Sequence, residues 1–157
     1  MPRRKYKIRP VKPDLIHNSR IVSKLINIIM HDGKKSVAEG IVYSAMEIMK
    51  KQNINPQEVM EKVAEVIGPR MTVRPRRIGG ASYMVPKETT PKHRLFLAIR
   101  WIVDAARLRS NKEFHTFEEK LAAEFIDASN GKGAAFDKKQ QAEKLADANK
   151  VFAHFAW

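Results

Sequence analysis

A glycine pair between two strand-like runs constrains the fold of this chain more than any other stretch. Residues 71–88 read MTVRPRRIGGASYMVPKE. Gly79 and Gly80 reach positive φ without a Cβ penalty, which a two-residue hairpin turn requires. Pro75 and Pro86 fall one in each predicted strand, and a proline cannot donate to the hydrogen-bond ladder of a central strand. The pattern therefore predicts a two-stranded ribbon that belongs to no larger sheet.

The pairing register of this ribbon separates its side chains into two faces. A turn at the glycines pairs Ile78 with Ala81, and successive residues then alternate between faces. One face carries Arg74, Arg76, Ile78, Tyr83 and Val85, and the other carries Val73, Pro75, Arg77, Ser82, Met84 and Pro86. Such a ribbon is marginal in water without support. Nucleic acid suits this role, because guanidiniums meet phosphates and an aromatic ring stacks on a base. The alternative is a solvated hairpin whose arginines block edge-to-edge pairing.

Apolar residues recur every three or four positions through most of the remaining chain, which is the spacing of buried helix faces. Six segments show this period, and the fourth is expected to end near Arg109. Their predicted starts are Asn18 or Ser19, the capping box Ser36-x-x-Glu39, Asn55-Pro56, Thr90-Pro91, the capping box Thr116-x-x-Glu119, and Ala134. Residues expected to face the core include Val22, Leu25, Val37, Ile41, Ala45, Val63, Ile67, Ile102, Val103, Leu121 and Phe125.

These patterns predict a mainly α fold: about a six-helix bundle with one protruding two-stranded β-hairpin at about residues 71–88 and a flexible basic N-terminal arm. A chain of 157 residues suits one core. We expect residues 1–13 to form the arm and residues 14–157 a single helical domain. The arm has no hydrophobic period and three prolines, so it cannot bury enough surface to offset its ordering entropy.

The net charge of +13 is confined to particular segments. Residues 1–13 carry +6 and residues 71–112 carry +8, whereas residues 14–70 carry +1 and residues 113–157 carry −2. Such confinement indicates a footprint for a polyanion, with nucleic acid first and an anionic membrane second. From charge and position alone, the residues expected to contact RNA are Lys5, Lys7, Arg9, Arg74, Tyr83, Met84, Lys92, Arg94 and Arg100.

Patterns typical of enzymes and of membrane proteins are absent from the sequence. It contains no P-loop, no G-x-S-x-G elbow, no His pair with metal-ligand spacing and no cysteine. We therefore predict no catalytic, cofactor-binding or metal residues and no cofactor. No run of about 18 apolar residues exists that could span a membrane, and the basic N-terminus lacks the apolar region of a secretory signal. We expect a cytoplasmic protein.

Five short motifs in the same order resemble those of bacterial small-subunit ribosomal protein seven. They cover nearly the whole chain. The motifs are the Met1-Pro2-Arg3-Arg4 start, Gly33-Lys34-Lys35 with Ile41-Val42-x-x-Ala45, Arg76-Arg77-Ile78-Gly79-Gly80-Ala81-Ser82-Tyr83 with Val85-Pro86, Arg100-Trp101-Ile102-Val103-x-Ala105-Ala106-Arg107, and Ala148-Asn149-Lys150 with Phe152-Ala153-His154.

The resemblance implies a structural protein that binds the 3′ major domain of 16S rRNA early and nucleates assembly of the head. It implies that the hairpin lies at the subunit interface near the exit-site tRNA, and that small-subunit ribosomal proteins nine and eleven are neighbours. Some members of that family also bind the messenger RNA of their own operon. The RNA contacts carried over by matching motif are Arg3, Arg4, Lys34, Lys35, Arg76, Arg77, Arg107 and Arg109.

The C-terminus departs from the family pattern. The family often has a tyrosine and an arginine before the last tryptophan, where this chain has Phe155 and Ala156. The aromatics Phe152, Phe155 and Trp157 either pack back on the core or stack on a partner, and the sequence leaves both open.

The sequence therefore predicts a non-enzymatic RNA-binding and assembly protein. The main rival is an architectural DNA-binding protein, because an arginine ribbon also fits a DNA groove. An RNA-modifying enzyme would need a constellation of catalytic residues that the chain lacks, and a membrane-surface helix would need basic residues opposite an exposed apolar face.

Overall fold

The structure is a computed structural model that describes residues 11–156. Over this range the chain forms six α-helices, one two-stranded antiparallel sheet and a C-terminal 3₁₀ helix, which confirms the predicted mainly α fold. The elements are α1 (Arg20–Ile29), α2 (Lys35–Lys51), α3 (Pro56–Ile67), β1 (Met71–Ile78), β2 (Ala81–Glu88), α4 (Pro91–Leu108), α5 (Phe117–Ser129), α6 (Ala134–Ala148) and the 3₁₀ helix (Lys150–Phe155). The first ten residues of the predicted arm lie outside the described range.

The fifth helix occupies the centre of the bundle. α5 packs against α2, α3 and α4, while α1 packs against α2 and α4. Leu121 and Phe125 of α5 are at most 2% exposed, and Ile102 and Val103 of α4 are equally buried. Burying a side chain of this size contributes roughly 1.5–3 kcal/mol. The core is thus built around α5.

The predicted helix starts agree with the structure in most places. Thr116 Oγ1 accepts a hydrogen bond from the Glu119 backbone N–H, and Glu119 Oε2 accepts one from the Thr116 N–H, so this capping box is confirmed. Asn55 Oδ1 likewise caps α3 by accepting the Gln57 N–H at 3.2 Å. Thr90 precedes α4 as expected, but its hydroxyl makes no capping bond.

The capping box predicted at Ser36 is wrong. α2 begins at Lys35, so Ser36 already lies within its first turn, and Glu39 pairs with Lys35 Nζ at 3.2 Å instead. The prediction that Val37 faces the core is also wrong, because its side chain is 58% exposed. Ala38 is the buried residue in this turn. It lies four residues before Val42, so the two side chains share one face of the helix.

The ribbon has the predicted register, but the protein itself supports it. Ile78 pairs with Ala81, Arg76 with Tyr83 and Arg74 with Val85. α6 packs against β1, and the 3₁₀ helix packs against β2. Val85 is only 2% exposed as a result. The sequence interpretation expected nucleic acid to support the ribbon. At its base, the ribbon is instead supported by the C-terminal elements of the same chain.

A buried aspartate organises the segment before α1. Asp14 Oδ2 accepts the backbone N–H groups of Ile16 and His17 at 3.2 and 3.0 Å, and Oδ1 accepts the Tyr43 hydroxyl at 2.8 Å. Burial by itself would raise the pKa of Asp14, but these hydrogen bonds outweigh it and hold the pKa below its ordinary value of 3.8. Burial, followed by the bond to Asp14, raises the pKa of Tyr43 to about 12.

We expect Asp14→Ala to lower the free energy of unfolding by about 1–3 kcal/mol at neutral pH, because it leaves donors unpaired. Urea unfolding measures this, with the exposed Glu47→Ala as a control that changes little. Since the folded-state pKa is depressed, the Asp14 contribution is present above pH 3.8 and is lost as the pH falls through the folded-state value. The gap between wild type and Asp14→Ala should therefore close in acid; a constant gap would contradict the assigned role.

Candidate nucleic-acid interface

The fourth helix carries a basic stripe opposite its buried face. Arg100 and Arg107 are seven residues apart, which is close to two helical turns, so they project from the same side as His93. Both arginines are exposed, and so is Lys92 in the first turn. Asp104 lies between them and pairs with Arg100, with Nε 3.4 Å from Oδ2. The stripe therefore keeps a net positive charge.

The turn between α1 and α2 lies beside the end of this stripe. Arg107 Nη2 lies 3.0 Å from His31 Nε2, and the Lys34 N–H donates to the His31 carbonyl at 2.9 Å. The predicted contacts Lys34 and Lys35 are both exposed. Residues 76 positions apart in the sequence thus form one basic surface.

Two residues of this surface, Lys24 and His31, were missed by the sequence interpretation. Lys24 Nζ lies 5.6 Å from the centroid of the Phe96 ring, and the His93 ring stacks on Phe96 at 6.2 Å. Lys24 and His31 come from the α1 region and reach α4 only through helix packing. Periodicity within α1 shows that Lys24 lies off the apolar stripe, but it cannot show which helix lies next to it.

The ribbon presents its arginines unequally. Arg74 and Arg77 are exposed, whereas Arg76 is half-buried opposite Tyr83. Met84 lies on the opposite face from Tyr83 and is 50% exposed.

The Tyr83 ring is packed by the C-terminus of the same chain. Its centroid lies 5.2 Å from the Phe152 ring and 6.0 Å from the Phe155 ring. The sequence left open whether these aromatics pack on the core or on a partner, and the structure places Phe152 and Phe155 on the ribbon. Trp157 lies outside the described range.

Two of the predicted contact residues bind the protein's own groups. Arg94 Nε donates to the Gly68 carbonyl at 2.9 Å and Nη2 to the Glu65 carbonyl at 2.7 Å, which satisfies the C-terminal end of α3. Arg109 pairs with Glu124 at 2.7 Å and also with Asp127. Burial would lower the pKa of Arg109, but these hydrogen bonds outweigh it and raise the pKa above its ordinary value. Both guanidiniums therefore have structural partners.

The described residues show neither a metal centre nor a membrane span. Within 11–156, no group of three or more histidine, aspartate or glutamate side chains is placed to hold a metal ion. No helix of this range is both long and apolar enough to cross a membrane. The predicted contacts Arg3, Arg4, Lys5, Lys7 and Arg9 lie outside the described residues.

A helical body with one basic face and a basic ribbon is an arrangement typical of nucleic-acid-binding proteins. The family model of ribosomal protein S7p/S5e matches residues 1–150. The small ribosomal subunit protein uS7 of Hydrogenobaculum sp. (strain Y04AAS1) is 53% identical over 151 residues, covering 95% of this chain and 94% of that protein. The uS7 protein of Metamycoplasma arthritidis (strain 158L3-1) is 51% identical over 156 residues, covering 99% and 98% of the two chains.

The chain belongs to the S7p/S5e family of ribosomal proteins. It is accordingly a structural, non-enzymatic ribosomal protein of the small subunit. The predicted resemblance and the prediction that the chain is not an enzyme are both confirmed by this membership.

We expect Arg109→Ala to cost roughly 3–5 kcal/mol of unfolding free energy, because it leaves the buried Glu124 carboxylate without its cation. Arg107→Ala, two residues earlier on the exposed stripe, is the matched control and should stay within about 0.5 kcal/mol of wild type. Thermal and urea unfolding compare the two. Equal losses for both variants would show that the Arg109 network does not stabilise the fold.

We expect Phe152→Ala to loosen the ribbon while leaving the core intact, because Tyr83 then loses its nearest aromatic partner. Amide hydrogen exchange of residues 81–85 should become faster. Val151→Ala, which removes an exposed side chain from the same 3₁₀ helix, should not change it. Unchanged exchange in Phe152→Ala would mean that Phe152 does not hold the ribbon and that Phe155 and α6 suffice.

Proposed function

We propose that this chain is a primary binder of the 3′ major domain of 16S rRNA and nucleates assembly of the head of the small subunit. The observation that carries the proposal is the Arg107–His31 contact, which joins the Lys34-Lys35 turn to the basic stripe of α4. Membership of the S7p/S5e family supports the same reading.

In this mechanism, neutralisation of RNA phosphates supplies most of the binding free energy. The exposed cations of the stripe and turn face folded RNA and release its counterions. Affinity should therefore fall steeply with salt. The proposed contacts on this surface are Lys24, His31, Lys34, Lys35, Lys92, Arg100 and Arg107. Arg94 and Arg109 act indirectly, by holding the ends of α3 and α4 in place.

The ribbon recognises the shape of the RNA. Arg77 and Met84 lie on the face that points away from the C-terminal aromatics, so they can meet phosphate and a base or sugar. Arg74 and Arg76 extend the charge along the other face. Tyr83 takes part through its edge, because Phe152 and Phe155 pack on its ring.

The remaining partners follow from the family resemblance. We infer that residues 1–13 form a basic arm that follows an RNA groove, while residues 14–157 form one helical domain. The ribbon lies near the exit-site tRNA at the subunit interface, and proteins nine and eleven of the small subunit are neighbours. The messenger RNA of the chain's own operon is a further ligand, and the protein acts in the cytoplasm.

Filter binding across a salt series tests the proposal. The probes are the 3′ major domain of 16S rRNA, an unrelated structured RNA of equal length, and duplex DNA of equal length. A preference for the first that persists as salt rises supports shape-specific RNA recognition. Equal affinity for all three probes, lost in parallel as salt rises, would show only that the protein has a basic surface. Tighter binding to duplex DNA would favour the architectural DNA-binding alternative.

We expect the double variant Arg74→Ala, Arg77→Ala to reduce the dependence of log K on log salt by about 1 to 2 units, because up to two phosphate contacts are lost. The thermal midpoint should stay near that of wild type, since both side chains are exposed. Lys50→Ala with Lys62→Ala removes equal charge from α2 and α3 and serves as the control. An equal reduction in this control would mean that total charge, not the ribbon, sets affinity.

A further inference from the structure

The contact between His31 and Arg107 has a defined hydrogen-bond donor. A guanidinium stays protonated and has no acceptor, so Arg107 Nη2 is the donor across the 3.0 Å contact. His31 Nε2 is therefore the acceptor in this contact. In the free protein, His31 thus accepts one of the hydrogen bonds that the Arg107 guanidinium can donate.

A phosphate that binds Arg107 changes this arrangement. The phosphate oxygens are stronger acceptors than the imidazole, because they carry charge. Once Arg107 turns its donor to phosphate, His31 Nε2 faces an anion rather than a cation. A nearby anion favours the charged form of histidine.

We propose that His31 and Arg107 form a proton-dependent phosphate site, in which His31 takes up one proton as an RNA phosphate binds and then donates a hydrogen bond from Nε2. The proton comes from solvent and leaves again on dissociation. The inference rests on the proposed function, which it deepens by adding a ligand group and a pH dependence.

The other charges around this site favour an anion. Lys34 and Lys35 come from the start of α2, and Lys35 is paired with Glu39. Asp32 is the acid next to His31 in the chain and is exposed. On α4, the nearest acid is Asp104, one turn before Arg107, and it is bound to Arg100. Lys34 and Arg107 therefore outnumber Asp32, the one acid named here that has no stated cation partner.

The test is filter binding of the full-length protein to the 3′ major domain of 16S rRNA between about pH 6 and pH 8, at constant salt. Wild type should bind roughly fivefold more tightly at the lower pH, the size expected when phosphate favours the charged imidazole about tenfold. His31→Gln keeps an acceptor for Arg107 but cannot take up the proton, so its affinity should change much less. His115→Gln, an exposed histidine in the loop before α5, is the matched control and should follow wild type.

Calorimetry in buffers of different ionisation enthalpy gives a second readout, the number of protons taken up on binding. Up to one proton for wild type, and a clear decrease in His31→Gln, support the site. Identical pH dependence and proton uptake in His31→Gln and wild type would overturn it while RNA binding itself persisted. Failure of wild type to bind the RNA at any pH would overturn the proposed function and this inference together, so the two failures can be told apart.

Discussion

The burial of α5 between α2, α3 and α4 is the constraint on which the rest of the structure depends. Phe125 and Leu121 fill the centre, but Glu124 on the same helix is only 1% exposed. A buried carboxylate is costly unless it is paired and hydrogen-bonded. Arg109 supplies the cation, and the Ala135 N–H donates a further bond at 3.3 Å. Glu124 thereby ties the end of α4 and the start of α6 to the central helix.

This packing sets the role of each arginine at the end of α4. Arg107 and Arg109 are two residues apart, which turns the chain by about 200° where it is helical. Arg109 therefore points towards α5 and its carboxylates, while Arg107 points outwards to His31. The same residue type at neighbouring positions stabilises the fold in one case and faces solvent in the other. Charge counts along a sequence cannot separate these roles, but the helical phase can.

The features predicted correctly are those that depend on residues close together in the sequence. The register of the ribbon follows from two glycines and a period of two, and the Thr116 capping box follows from side chains that reach only their own turn. Val37 was misplaced because the buried stripe of α2 runs through Ala38, Val42, Ala45, Met46 and Met49, and Val37 lies one residue before it in the first turn. The contact of His31 with Arg107 and the packing of the C-terminal aromatics on Tyr83 both depend on how distant segments pack. Sequence periodicity does not predict such contacts.

The aromatic residues near the C-terminus have a physical consequence for the ribbon. Phe155 has no hydroxyl that needs a partner, so it can pack with Phe152 around Tyr83 without burying an unsatisfied polar group. The ring contacts fix the face of the ribbon that is turned to the protein, and alternation along the strands then directs Arg77 and Met84 the other way. In the proposed complex, the outer face supplies the ribbon contacts of Arg77 and Met84. A tail that was first a candidate for contacting RNA instead orients the residues that do so in the proposed complex.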